Sequence, residues 1–183
     1  MALVGSVARR YAKALLEIGV AHKNAEAMGQ ELDRLVELFQ SSIELADTLR
    51  NPVFPLSRRR AVLDEVIKRL AFSPQSMVRN FTLLLLDRGR IASLPDIARE
   101  YRGLLDESLG RVRVQVTSAT PLDGAVESRL QQALAHQTGK TVILEKSVDP
   151  ALVGGIVSQI GDVVYDGSVR TQLDNLKQQL LAE

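Results

Sequence analysis

The sequence predicts an α+β protein of two domains, with a six-helix bundle over residues 1–108 and a small α/β domain over residues 109–183. Two observations support this fold class. Apolar residues recur at helical spacing up to Gly110, and a period-two alternation of Val112, Val114 and Val116 begins directly after it. With 183 residues, of which 45% are hydrophobic, the chain can bury a core without disulfides or metals.

The first domain is predicted to contain five long helices and a short helix near Leu45 to Arg50. Asn51-Pro52, Gly89 and Gly110 are predicted stops, because the residue before proline avoids the α region and glycine favours the left-handed end of a helix. Capping residues predict the helix starts, and these are Ser6, Asn24, Ser57, the pair Ser73-Pro74 with proline at the first helical position, and Ser93.

The second domain is predicted to contain short strands and two helices. Gly161-Asp162 is a two-residue hairpin signal, and Gly139 ends the first helix. Ser168 is expected to cap a final helix with one apolar face. The predicted strands are 111–117, 141–146, 156–160 and 163–166, the helix is 121–137, and the final apolar face is Val169, Leu173, Leu176 and Leu180.

Composition excludes several classes of function. The chain has 23 basic and 22 acidic residues, whereas a nucleic-acid-binding protein usually has a basic excess. Cysteine is absent, so thiol catalysis and cysteine-based metal sites are excluded. No apolar run reaches the roughly 18 residues of a membrane span, and Arg9, Arg10 and Lys13 interrupt the first segment too early for a secretory signal.

Candidate catalytic, cofactor and metal residues carry a weak signal. The histidines, His22 and His136, lie in different predicted domains and lack a carboxylate pattern for a metal. Gly139-Lys140-Thr141 resembles the end of a phosphate loop, but a helix precedes it and a strand follows it. Asp166-Gly167-Ser168 is interpreted as a turn and a cap. We therefore expect no catalytic residues, no cofactor and no metal.

Two arginine clusters leave an alternative function open. Arg58, Arg59 and Arg60 form one run, and Arg88 and Arg90 flank Gly89 at a predicted helix end. A helical nucleic-acid-binding module is the second hypothesis, although interleaved aromatic residues are lacking. A solvated charged face is the more common meaning of such runs. An enzyme with a site between the domains is the third hypothesis, and it lacks a polar constellation.

An apolar surplus favours binding of a partner protein. The first helix has small residues beside Tyr11, Leu15 and Ile18, and the run Leu83 to Leu86 covers more than one face of its helix. An amphipathic partner helix laid in a groove between two bundle helices fits this surplus.

Three sequence blocks together resemble one known family. They are Ala8 to Leu15, Asn80-Phe81 through Gly89-Arg90-Ile91 to Leu94-Pro95, and Asp149-Pro150 through Gly154-Gly155, Gly161-Asp162 and Asp166-Gly167-Ser168. In this order and over the whole chain, they resemble the delta subunit of bacterial and chloroplast F-type ATP synthase. The mitochondrial counterpart is the oligomycin-sensitivity-conferring protein.

The resemblance implies a mechanical role rather than catalysis. The family joins the catalytic head to the peripheral stalk, so that the head resists rotor torque during proton-driven ATP synthesis. It implies a location on the cytoplasmic face of the bacterial inner membrane or the stromal face of the thylakoid, reached only through the complex.

The resemblance also assigns residues to two partners. The first and fifth helices would receive the amino-terminal helix of an alpha subunit, and the second domain would hold the b subunits of the stalk, with its matched residues as shape-makers. The expected groove residues are Tyr11, Ala14, Leu15, Ile18, Val78, Phe81 and Leu85. The expected stalk-side residues are Gly154, Gly155, Gly161, Asp166, Gly167 and Ser168.

Overall fold

A computed structural model of the chain describes residues 2–72, 76–161, 163–173 and 177. The chain divides into two compact units, Met1–Leu105 and Asp106–Glu183. The helical elements are α1 (Ala2–Ala21), α2 (Ala25–Ser41), α3 (Ile43–Arg50), α4 (Leu56–Arg69), α5 (Met77–Asp87), a 3-10 helix (Ile91–Ser93), α6 (Leu94–Ser108) and α7 (Gly124–Thr138). The strands are β1 (Arg111–Ser118), β2 (Thr141–Val148), β3 (Ile156–Ile160) and β4 (Val163–Asp166).

The α+β fold class is confirmed. The described residues form helices in the first unit and a small mixed sheet with a helix in the second. These elements do not by themselves establish a bundle of six helices, because the 3-10 helix adds a further helical element between α5 and α6. Among the described residues, no helix is long and apolar enough to cross a membrane.

Two predicted helix starts were wrong, and a third lies outside the described residues. Ser6 lies inside α1, which begins at Ala2, since alanine and leucine before it favour the helix. Ser57 lies inside α4, where the carbonyl of Pro55 accepts from the N–H groups of Arg58 and Arg59. The fifth helix begins at Met77, and the pair Ser73-Pro74 lies outside the described residues.

The true cap of α5 is Ser76, whose hydroxyl accepts from the N–H of Arg79 at 3.3 Å. The same hydroxyl donates to Glu31 on α2, at 2.5 Å. The predicted glycine stops are confirmed, because Gly89, Gly110 and Gly139 adopt φ of 65°, 62° and 66° at helix ends.

The core of the first unit is built from one face of each of its helices. On α2 the buried apolar residues are those that the periodicity predicts, Met28, Leu32, Leu35, Val36 and Phe39. On α1, the fully buried residues Ala8 and Ala12 are small, which allows close helix approach. Burial of these side chains supplies most of the stability of such a unit.

A hydrogen bond ties α6 to the turn between α1 and α2. Tyr101 is fully buried, and its hydroxyl donates to the carbonyl of Ala25 at 2.8 Å. Gly19 has no room for a side chain, since a Cβ there would lie 3.1 Å from the Tyr101 hydroxyl and 2.9 Å from the Cα of Ala25. The glycine therefore permits the approach that the tyrosine fixes.

The second unit is a four-stranded sheet in the order β2-β1-β3-β4. The pair β1 and β2 is parallel, and α7 connects these two strands. The pairs β1 with β3 and β3 with β4 are antiparallel, and Ile160 pairs with Val163 across the predicted hairpin, whose Asp162 lies outside the described residues. The strand predictions are confirmed, with β1 and β2 extending one and two residues further.

The two faces of this sheet differ in polarity. Val114, Val116 and Val142 are buried in a cluster with Leu134 of α7. On the opposite face, Arg113 forms ion pairs with Asp106, in the last turn of α6, and with Glu145 on β2. The hydrogen bond from Arg113 to Asp106 raises the pKa of the guanidinium.

We predict that Tyr101→Phe lowers the free energy of unfolding by about 1 kcal/mol, because the hydrogen bond from the Tyr101 hydroxyl to the carbonyl of Ala25 is lost. Burial raises the pKa of Tyr101 from 10.0 to about 12. Stability contributed by the neutral phenol is therefore present below pH 10 and declines as pH rises towards about 12.

Denaturant unfolding of wild type and Tyr101→Phe, measured at neutral pH and above pH 10, checks both statements. Tyr165→Phe is the matched control, because that ring is exposed. Equal unfolding free energies for wild type and Tyr101→Phe would contradict the prediction.

Candidate partner-binding surfaces

The seven groove residues predicted on α1 and α5 divide into two groups. Leu15, Val78 and Leu85 are core residues with almost no exposed surface. They lie beneath the groove, and their side chains offer almost no surface for a partner to contact. The remaining four reach the surface, with Tyr11 and Phe81 half-buried and Ala14 and Ile18 exposed.

An aromatic contact joins α1 to α5 at this surface. The rings of Tyr11 and Phe81 meet edge to face, with centroids 6.1 Å apart and planes at 66°. Such pairs are favoured by the ring quadrupoles. Ala14 and Ile18 follow Tyr11 on the same side of α1, at i+3 and i+7. The surface that these four residues form with Leu84 is called the α1/α5 groove below.

Leu84 is the groove residue that the sequence analysis did not assign. It lies one turn after Phe81 and is 43% exposed, similar to Ile18 at 42%. Leu85 and Leu86 are buried, and Leu83 packs against the core. The expectation that this leucine run covers more than one face is therefore confirmed, and Leu84 is the member left at the surface.

Two reciprocal ion pairs hold α5 against α4. Arg60 on α4 binds both oxygens of Asp87 at 2.9 and 2.6 Å, and Arg79 on α5 binds Asp64 at 2.6 Å. Hydrogen bonding from Arg60 lowers the pKa of Asp87. These pairs fix the packing of α5 on α4.

The arginine run Arg58 to Arg60 has structural partners. Arg59 donates to the carbonyls of Phe54 and Leu49, and the Arg58 guanidinium lies 5.8 Å from the centre of the Phe54 ring. Together with the Arg60–Asp87 pair, these contacts hold the corner between α3 and α4 and the α4–α5 packing. The hypothesis of a nucleic-acid-binding module is not supported.

In the second unit, the predicted stalk-side glycines make close backbone contacts. Gly155 has φ +86°, and a Cβ there would collide with the carbonyl oxygen of Gly167 and lie 2.8 Å from the Cα of Ser168. The N–H of Gly167 donates to Ile156, and the N–H of Val169 donates to Gly154, both at 3.0 Å. The segment before β3 and the segment after β4 are thereby joined.

Asp166 and Ser168 cap the turn of helix that begins at Val169. Asp166 accepts from the N–H of Ser168 at 2.8 Å and from the hydroxyl of Thr171 at 2.8 Å, and the first of these bonds is the main reason why its pKa is lowered. The Ser168 hydroxyl accepts from the N–H of Thr171. The interpretation as turn and cap is confirmed, while Leu176 and Leu180 of the predicted final helix lie outside the described residues.

The outer edge of the sheet is apolar and exposed. Val163, Val164 and Tyr165 of β4 all lie at the surface. The opposite edge, β2, carries Glu145 and Lys146, and Lys146 pairs with Glu127 at 2.9 Å. Charged residues commonly protect sheet edges from further pairing. On β4, charge is confined to Asp166 at its end among the described residues, and an exposed apolar stretch of this kind is typical of a surface that a partner covers.

The described residues contain no group of three or more His, Asp or Glu side chains that could hold a metal ion. His22 is exposed and bonds to the carbonyl of Ile18 in the preceding helix α1, and Gly139 ends α7. Every buried side-chain polar atom of the described residues has a hydrogen-bond partner. Exposed apolar residues beside the Tyr11–Phe81 contact in one unit, and on β4 in the other, are typical of a structural protein that binds partner proteins.

Comparison with known proteins identifies the family of this structural protein. Residues 7–180 match the family described as ATP synthase delta (OSCP) subunit. The chain is 44% identical to ATP synthase subunit delta of Anaeromyxobacter sp. (strain Fw109-5) over 97% of its length and 98% of the relative's length. It is 39% identical to that of Myxococcus xanthus (strain DK1622), over 96% of each chain.

A solved structure shows the same fold. A chain in a cryo-EM structure of the Toxoplasma gondii mitochondrial ATP synthase hexamer superposes with a TM-score of 0.69 at 20% identity, covering 96% of this chain and 98% of that one. The chain belongs to the ATP synthase delta (OSCP) subunit family. Its function is that of a non-catalytic stator subunit of the F-type ATP synthase.

We predict that Gly155→Ala destabilises the second unit by about 2 kcal/mol or more, because the added Cβ meets backbone atoms at a strained φ. Gly161→Ala is the control, since that glycine also has positive φ but open space around it. It should cost only about 1 kcal/mol. Hydrogen exchange of the β3 and β4 amides measures both. Equal effects would show that the close contact is unimportant.

Proposed function

We propose that the first unit, with α1 to α6 acting as a six-helix bundle, binds the amino-terminal helix of an alpha subunit in the α1/α5 groove. The observation that carries this proposal is the exposed apolar stripe beside the Tyr11–Phe81 contact, formed by Ala14, Ile18 and Leu84. An amphipathic helix binds such grooves through apolar side chains at i, i+3, i+4 and i+7.

The energetics of the groove suit a stator. A partner helix removes water from Ile18 and Leu84, while the core residues beneath them are already ordered. Few long, flexible side chains have to be immobilised, so little of the binding energy is lost to conformational entropy. The apolar part of this affinity depends little on salt, because the surface that contributes it is uncharged.

In the second unit, we propose that the β4 edge binds the b subunits of the peripheral stalk. Gly154, Gly155 and Gly167 shape this region, and Asp166 and Ser168 fix the chain where it leaves β4. The exposed side chains of Val163, Val164 and Tyr165 supply the apolar surface. The glycines that match the family pattern thus set the shape of the backbone, and the side chains of β4 make the contacts with the b subunits.

With one partner on each unit, the chain links the catalytic head to the stalk. We place it on the cytoplasmic face of the bacterial inner membrane, or the stromal face of the thylakoid, held there through the complex. No step of its own chemistry is required, because a stator has only to transmit force without dissociating.

We predict that Ile18→Asp and Leu84→Asp each weaken binding of a synthetic alpha-subunit amino-terminal peptide by at least about 30-fold, since burying an unpaired carboxylate costs about 2 kcal/mol or more. Both side chains are exposed in the free chain, so folding should persist. Isothermal titration calorimetry, with circular dichroism as the folding check, measures these effects.

Val20→Asp is the matched control for Ile18→Asp. Val20 is also β-branched and on α1, is 56% exposed, and points away from the groove by its helical position. It should bind the peptide like the wild type. Equal weakening by Val20→Asp, or full binding by Ile18→Asp, would refute the α1/α5 groove as the site.

For the stalk, we predict that Tyr165→Asp reduces binding of the soluble part of the b subunits by about tenfold or more, because the charge must be desolvated against an apolar partner. Val126→Asp on α7 is the control, with an exposed fraction of 43% against 44% for Tyr165. Binding is measured by surface plasmon resonance. Unchanged binding by Tyr165→Asp, in a folded variant, would exclude this residue from the interface.

A further inference from the structure

The α1/α5 groove has two chemically different ends. At one end, Tyr11 on α1 contacts Phe81 and Arg90, which follows the carboxyl end of α5. At the other, His22 after α1 lines the same cleft as Ser76 and Met77 at the start of α5. The helices therefore run antiparallel, and one end of the groove lies beside the carboxyl end of α5.

The end beside Arg90 carries cations without matching carboxylates. Arg88 and Arg90, called the arginine rim below, are exposed, as is Arg10 next to Tyr11. Asp87 is the neighbouring acid, and Arg60 occupies both of its oxygens. In the part of the chain that the structure describes, no carboxylate forms an ion pair with Arg88 or Arg90.

Arg90 is held in place before any partner arrives. Its guanidinium carbon lies 5.8 Å from the centre of the Tyr11 ring. The backbone N–H of Arg90 donates to the carbonyl of Leu85 at 2.8 Å. The next residue, Ile91, is buried. A guanidinium on an aromatic face keeps its hydrogen-bond donors while losing little freedom on binding a carboxylate.

The opposite end of the groove has a different charge balance. There, Glu31 contributes a carboxylate that accepts from the Ser76 hydroxyl, beside His22 and Lys23. A helix with an acidic end therefore meets mainly arginines at one end of the groove and charges of both signs at the other. Complementary charge of this kind sets the orientation of a partner more than its affinity.

Favourable interaction of Arg88 and Arg90 with the dipole of α5 explains only part of their arrangement. Cations at a carboxyl terminus do favour a helix. That effect requires only that Arg88 and Arg90 lie near the last carbonyls of α5. It does not require the Arg90 guanidinium to lie over an aromatic ring of α1, at the surface where a partner would bind.

We propose that the arginine rim binds a carboxylate near one end of the partner helix and so fixes the direction in which that helix lies in the groove. The inference rests on the proposed function, since it assigns the charge pattern of the helix that the α1/α5 groove receives. The partner is an amphipathic helix with an apolar stripe and at least one Asp or Glu at the end over Arg90.

The test is a titration of the full chain with the alpha-subunit amino-terminal peptide encoded in the same genome, at about 50 mM and 300 mM salt. Variants are Arg90→Gln and Arg90→Lys, with Arg34→Gln as the control because Arg34 is an exposed arginine on α2. We expect Arg90→Gln to weaken binding about fivefold at low salt, the effect of one partly exposed ion pair. The difference should shrink at high salt, Arg90→Lys should restore part of it, and Arg34→Gln should have no effect.

A second peptide, with its acidic side chains at one end changed to amides, completes a double-mutant cycle. Arg90→Gln should not weaken binding of that peptide further. The contrary outcome is that Arg90→Gln binds the peptide with the affinity and salt dependence of the wild type, while Ile18→Asp still weakens binding. That result would overturn the inference and leave the proposed groove intact. A lower melting temperature with unchanged affinity would likewise overturn it. A folded wild-type chain that does not bind the peptide would refute the proposed function and the inference together.

Discussion

The first unit depends on how closely α1 approaches the rest of its core. Ala8 and Ala12 are fully buried because they are small, and Gly19 leaves space for the Tyr101 hydroxyl. The carbonyl of Ala25 in turn accepts from that hydroxyl, which would be costly to bury without a partner. With α1 positioned in this way, Tyr11 meets Phe81, and the same helix can present one apolar stripe to the core and another to a partner.

The second unit solves a different problem, the alignment of short strands around tight turns. Its core is small, with Val114, Val116, Leu134 and Val142 as the buried centre. Backbone contacts around Gly155 and the cap at Ser168 therefore carry a larger share of its organisation than side-chain burial does in the first unit. Position 155 favours glycine both because φ is positive and because neighbouring backbone atoms leave no room for a Cβ. Position 161 favours glycine because of its positive φ alone.

Local patterns in the sequence predicted most elements of the fold. Periodicity found the buried face of α2, and glycine positions found the ends of α5, α6 and α7. Serine was a less reliable guide to helix starts, because Ser6 and Ser57 both lie within helices that begin before them. Strand order was not predicted, since pairing between β1 and β3 depends on contacts distant in sequence.

The candidate surfaces were predicted in part, for a similar reason. Periodicity places Leu15, Val78 and Leu85 on the apolar faces of their helices. It does not distinguish a residue buried in the core from one at the surface of the groove. Leu84 was missed because a run of four leucines has no periodicity of its own. The approach of Arg90 to Tyr11 joins residues far apart in the chain, so no local pattern reveals it.

The helix α6 has a consequence for any attempt to produce the two units separately. It runs from Leu94 to Ser108, while the boundary between the units falls after Leu105. A fragment that began at Leu109 would lack Asp106 and leave the guanidinium of Arg113 with Glu145 alone. The end of α6 is therefore a poor boundary for expressing the second unit alone, and such a fragment has to begin before Asp106.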